Sequence, residues 1–241
     1  VSGATLRCAI RIAACWCVWH ALAFAPRAHA GVVLANTRVV FSGDARDVTV
    51  RLSNRHAYPV LVEAWVDSPI EGAHVPFAAD PPLFRIDPGK GQALRVHRLP
   101  GVLPEDRETL FWLNVLDVPP DPPATAEGSD MKIALQTRVK LFHRPKGLPG
   151  APAEAPAALH WRVLDDARIA VDNPTPYHVT IARIAGHDGW DVQGVMVAPF
   201  AGVVVPYSKA RGGSGRIVFE AINDLGGRDK FDSPLAEARA Q

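Results

Sequence analysis

Residues 131–145, MKIALQTRVKLFHRP, constrain the fold more than any other stretch of the chain. Apolar Met131, Ile133, Leu135, Val139 and Leu141 alternate with polar Lys132, Gln136, Arg138 and Lys140, the period-two pattern of a half-buried strand. A strand leaves a row of amides and carbonyls open unless a neighbour pairs on each side. Natural edges are guarded by prolines, bulges or inward charges. This segment is long, β-prone and ended only by Pro145. Its pattern on its own favours an ordinary core strand; the sharper alternative is an edge built to be shared with another protein. The rest of the chain has to decide.

With 241 residues there is room for two domains of ordinary size. The first thirty read as an export leader. Arg7 and Arg11 supply the positive start, residues 12–25 an apolar run, and Ala28-His29-Ala30 a small-x-small cleavage site. The run is too short for a membrane span, and no second stretch approaches that length, so no membrane insertion is expected. All three cysteines (Cys8, Cys15, Cys17) lie inside the leader. The exported part therefore depends on its hydrophobic core, without disulfides. Removing the leader takes Arg7, Arg11 and Arg27 but no acidic residue, so 26 basic residues become 23 against 25 acidic. That balance does not suit a nucleic-acid surface. A periplasmic or secreted protein is expected.

From Gly31 onward, strand signals replace helical periodicity. Residues 32–41, 48–53, 58–66, 93–99 and 110–118 are β-branched or aromatic runs, separated by Ser42-Gly43-Asp44, Asp87-Pro88-Gly89 and the prolines of 119–123. With 131–143 they predict a β-sandwich over 31–145; only 104–108 suggests a helical turn. Residues 146–156, rich in Pro, Gly and Ala, read as a semi-rigid linker. Runs at 160–164, 169–172, 177–184, 194–197, 203–206 and 217–222 predict a second, smaller β-domain over 157–241. The charged residues 229–241 are expected to form a mobile tail.

Several motifs resemble those of one family. Thr37-Arg38-Val39-Val40-Phe41 matches its first strand, residues 80–89 (DPPLFRIDPG) and 103–114 (LPEDRETLFWLN) its central blocks, and 133–145 its donor strand. Asn173-Pro174-Thr175-Pro176-Tyr177 and residues 222–227 (INDLGG) match its second domain. The chain is identified by these as a member of the periplasmic pilus-assembly chaperones, and the loop 119–130, which lacks cysteine, is similar to their short-loop subfamily. The resemblance implies an all-β fold of two immunoglobulin-like sandwiches joined at an angle, in a boomerang shape. It also implies strand donation: Met131, Ile133 and Leu135 enter the groove of a pilus (fimbrial) subunit that lacks its own last strand. Arg38 and Lys140 hold that subunit's C-terminal carboxylate, and neither is expected in the core. Glu108, Arg144 and Asp224 form an ion network between the domains. An outer-membrane usher is the second implied partner, and the free protein has an edge through which it can self-associate. Two small departures are Leu225, where an aromatic is common, and His178, where a second Tyr is frequent.

Other classes fit less well. Nine histidines, two of them in the leader, show no metal-ligand spacing. Gly213-Ser214-Gly215 lacks the context of a nucleophile elbow, and there is no glycine-rich phosphate loop. No enzyme activity, metal or cofactor is expected. The alternative that remains is an exported carbohydrate- or adhesion-type β-sandwich, which would need a platform of surface aromatics. Trp65, Trp112, Trp161 and Trp190 are instead dispersed.

Overall fold

The computed structural model describes residues 31–121, 132–185, 191–207 and 215–236. The leader, Met131, Trp190 and most of the loop 119–130 lie outside the described residues. Among those described, the regular elements are strands and one short 3-10 turn. In chain order the strands are β1 (Val32–Leu34), β2 (Arg38–Ser42), β3 (Asp47–Asn54), β4 (Val60–Asp67), β5 (Phe77–Asp80), β6 (Leu83–Ile86), β7 (Gly91–Arg98), β8 (Thr109–Val118) and β9 (Leu135–Arg144), followed by β10 (His160–Asp165), β11 (Arg168–Asp172), β12 (Val179–Ala185), β13 (Asp191–Val197), β14 (Gly202–Pro206), β15 (Arg216–Ile222) and β16 (Arg228–Ala236).

The first nine strands form two facing layers, ordered β1-β3-β7-β5 and β2-β9-β8-β4-β6. Between them, Phe77 meets Phe41 and Phe111 edge-to-face, with ring centroids 5.1 and 5.0 Å apart. Val62, Leu94, Val96, Leu113 and Leu141 fill the same core. Each fully buried aliphatic or aromatic side chain there contributes about 1.5–3 kcal/mol. The other seven strands make one sheet, β13-β12-β15-β16-β10-β11-β14. It folds over a separate core because β16 changes partners. Arg228 to Pro234 pair antiparallel with β15, whereas Leu235 and Ala236 pair parallel with β10. Trp161 and Phe219, 4.9 Å apart, pack across this second core.

Several expectations need correction. The run 32–41 is two strands, because the chain crosses from one layer to the other between Leu34 and Arg38. The helical turn expected at 104–108 is absent. A 3-10 turn falls instead at Ala155–Ala158, within and just beyond the expected linker, with Ala155 buried and Leu148 packed on the second core. Tyr177 Oη ties the same segment down by donating to Gly150 O at 3.0 Å. The expected tail is largely strand β16. Its charges lie outward while Ser233 and Leu235 are buried, and a backbone ladder needs little apolar content.

Candidate functional site

The two halves of β9 differ in what covers them. Antiparallel β8 pairs along its whole length, from Asp117↔Leu135 to Thr109↔His143. Parallel β2 pairs only with the second half, Arg38↔Lys140 to Ser42↔Arg144. The predicted edge is therefore open over residues 135–139 and closed beyond. The strand also starts at Leu135, later than expected, leaving Ile133 just before it.

Apolar burial follows the same division. Val139 and Leu141 are 8 % and 0 % exposed, whereas Leu135 is 52 % and Ile133 68 % exposed. The opposite face is tied to neighbouring strands. Gln136 Nε2 donates to Asn114 Oδ1 at 2.8 Å. Arg138 donates to Asp67 at 2.8 Å and lies 4.6 Å from the centre of the Trp112 ring. The open half thus presents an extended backbone with uncovered aliphatic side chains at its start.

Where β2 begins, Arg38 and Lys140 stand side by side in the parallel register. Lys140 Nζ donates to Thr180 Oγ1 at 3.1 Å, and an Arg38 terminal nitrogen donates to Ile222 O at 2.9 Å. Both cations thus reach the second domain's strands. Arg38 is buried, contrary to the expectation of a strand charge outside the core. Its guanidinium lies 5.8 Å from the Phe142 ring centre. Arg38 Nε is also buried and has no hydrogen-bond partner among the described residues. Burial lowers the pKa of Arg38 against the opposing pull of Asp224 and Glu108. Burial first, then the charge of Arg38, pushes the Lys140 ammonium down to about 8. Two desolvated cations with a spare donor favour an incoming anion, and a carboxylate supplies acceptors for charge-assisted bonds.

A second arginine site lies four residues along β9. Arg144 Nε donates to Glu108 Oε1 at 2.6 Å, and its two terminal nitrogens donate to both Asp224 oxygens at 2.7 and 2.9 Å. Glu108 Oε2 accepts the His178 backbone N–H at 2.8 Å, and the Glu108 N–H donates to Pro176 O. The expected trio is therefore brought together, but burial is uneven: the Glu108, Arg144 and Asp224 side chains are 2 %, 19 % and 42 % exposed. Arg144 has its pKa raised, burial being outweighed by its two carboxylate partners. A cavity of about 260 Å³ is lined by both arginines, together with Phe142, Tyr177, His178 and Asp224 among others.

Met131 lies outside the described residues, so only Ile133 and Leu135 of the apolar trio are placed. Thr180, Ile222 and Phe142 were not named as site residues from the sequence, although Ile222 and Phe142 fall inside the motif stretches 222–227 and 133–145. They belong to the site through contacts made at long range. Among the described residues no group of His, Cys, Asp and Glu has metal-binding geometry, and no helix is long and apolar enough to cross a membrane.

A two-sandwich all-β chain with a half-covered strand and a desolvated cation pair fits the class of strand-lending chaperones. Residues 31–149 match the family model for the pili and flagellar-assembly chaperone PapD N-terminal domain, and 154–233 that for the pili assembly chaperone PapD C-terminal domain. The probable fimbrial chaperone YadV of Escherichia coli K12 is 39 % identical over 227 residues, covering 88 % of this chain and 92 % of that protein. Chaperone protein FimB/FhaD of Bordetella pertussis is 36 % identical over 230 residues, covering 88 % and 91 %. Among solved structures, the YadV chaperone superposes with a TM-score of 0.72 at 38 % identity, over 86 % of this chain and 100 % of that one. The SafB chaperone of Salmonella enterica, solved with the SafA pilin, gives 0.77 at 30 % identity, over 88 % and 99 %. The chain belongs to the pilus-assembly chaperone family, and it is a chaperone of pilus subunits.

Proposed function

We propose that this chaperone works in the periplasm, after removal of a leader, by lending the open half of β9 to a pilus subunit and passing the subunit to an outer-membrane usher. The subunit's last strand pairs alongside residues 135–139. Ile133 and Leu135, with Met131 before them, enter its groove, and its terminal carboxylate lies between Arg38 and Lys140. The observation that carries this reading is the open strand edge ending at two cations, one buried and one half-buried, without a carboxylate partner among the described residues. Main-chain ladder bonds give affinity and alternate side chains give specificity. Five residues separate Leu135 from Lys140, about 16 Å at strand rise. The anchor therefore also sets register, since a one-residue slip turns every side chain to the wrong face. Glu108, Arg144 and Asp224 orient the second domain, which supplies Thr180 and the Ile222 carbonyl to the anchor.

The test is a peptide copying a subunit's C-terminal strand, with a free or an amidated end. Amidation is expected to weaken binding to the wild type strongly and to Lys140→Ala or Arg38→Ala only slightly. Equal weakening in all three proteins, or in none, overturns the carboxylate anchor.

A further inference from the structure

At the opposite end of the open edge, Asp117 pairs in register with Leu135, and its carboxylate is buried. Oδ2 accepts the Val32 N–H at 2.9 Å and lies 3.4 Å from His56 Nε2. The His56 ring is stacked on Tyr58, centroids 4.5 Å apart. Of these neighbours only His56 can carry a positive charge, and a buried carboxylate without a firm counter-ion is costly.

Gly31 completes the surroundings. A Cβ on it would stand 2.5 Å from Asp117 Oδ2, 3.2 Å from His56 Nε2 and 3.6 Å from Leu135 Cδ2. A bare backbone is thus packed directly against the carboxylate. Its carbonyl is held by the Arg55 N–H at 3.3 Å. Gly31 is also the residue immediately after Ala28-His29-Ala30, where the small-x-small pattern places the leader cut. When a leader-cleaving peptidase hydrolyses the Ala30–Gly31 amide, water supplies the carboxylate oxygen left on Ala30, and Gly31 keeps an α-ammonium. The uncut chain has a neutral amide at the same position.

We propose that the new Gly31 ammonium is the counter-ion of Asp117, so that losing the leader completes a buried ion pair and fastens β1 to β8 at the root of the edge offered to subunits. This rests on the export reading above. An ammonium beside a buried carboxylate titrates above the ordinary α-amino range of about 7.7–8.0. Its folded pKa is raised, so the stability it contributes is full below that range and is lost as pH rises through the raised value. The groups facing it are Asp117 on β8 and His56 in the turn before β4, with Leu135 of β9 as the apolar neighbour.

The full chain with its leader is produced, recovered from the periplasm, and checked by intact mass and N-terminal residue. Acetylation of the α-amine is then followed against pH. The wild-type amine is expected to react at pH 7 roughly tenfold more slowly than that of Asp117→Asn, one pKa unit being a factor of ten. A second variant guards against misfolding: one Ala inserted between Ala30 and Gly31 keeps Asp117 but leaves the ammonium one residue too early. Its amine should react at the ordinary rate. Identical titration in all three correctly cut proteins overturns the pairing. A cut at another position overturns the pairing and the placement of the leader together. Subunit co-purification, read in the same samples, shows separately whether the chaperone reading stands.

Discussion

Two arginines reach between the same two sandwiches and differ in what they meet. Arg144 has a carboxylate on each side, one buried and one half-exposed, and Glu108 is held in turn by a backbone amide. Arg38, on the neighbouring strand, is buried with a carbonyl, an aromatic face and a spare Nε–H, and its register partner is a lysine. A buried charge with its partners built in is part of the scaffold. On the strand-lending reading, the buried Arg38 and half-buried Lys140, which have no carboxylate partner among the described residues, form a receptor whose last component arrives from outside.

Exchanging the outcomes at the two sites would break this contrast, and the largest effect tests it first. Lys140→Ala or Arg38→Ala should reduce subunit capture by about 2–5 kcal/mol, a factor from some thirtyfold to several thousandfold. The melting midpoint should stay put or rise, since a desolvated charge is removed. Co-purification and thermal denaturation together read this. Arg144→Ala should do the reverse, costing about 3–5 kcal/mol of stability by stranding Glu108 in the interior. Denaturant titration measures that loss, with increased proteolysis near residues 146–156. Ile133→Glu should abolish capture while changing stability by less than about 0.5 kcal/mol, because Ile133 is already largely exposed. Normal co-purification of the subunit with that variant ends the strand-lending reading.

Two smaller effects sharpen the comparison. Asp224→Ala should cost only about 1 kcal/mol, because Asp224 is partly solvated and Arg144 retains Glu108. The pH response should also divide by site. Lys140 has a folded pKa near 8, below its usual 10.5. Between those values the unfolded chain holds the proton that the folded one lacks, so this group's contribution to the free protein's stability rises with pH. Binding a carboxylate restores the charge, so above about pH 8 capture takes up a proton and weakens toward tenfold per pH unit. In Lys140→Met that dependence should vanish. Isothermal titration at pH 7 to 10 checks both.

Much of the fold was legible because alternation is local. Val139 and Leu141 point inward as their spacing predicts, and the turns fall at the Gly, Pro and Asp clusters. What remained hidden is non-local. Nothing in residues 131–145 says that β2 covers one half of the strand, because that pairing joins segments about a hundred residues apart in parallel. Phe142 falls on the polar face of the alternation, yet it is buried by Arg38 and His178 from other elements. The closeness of Arg38 and Lys140 came from resemblance to a family, since neither residue's neighbours in sequence distinguish it from a solvated strand charge. Asp117 lies in the run 110–118 with nothing beside it in sequence to mark it, because Gly31 meets it only in the fold.

The parallel pairing of β2 has a consequence for which partners fit. A strand laid beside residues 135–139 in the direction of β2 runs head-on into the first residue of β2, Arg38. β2 is thus an end-stop. A chain that finishes there can dock, whereas one continuing past that point collides with β2. On the strand-lending reading, the chaperone discriminates by where a polypeptide terminates as well as by what its side chains are, and adding a single residue to a subunit's C-terminus should exclude it even when every groove contact is retained.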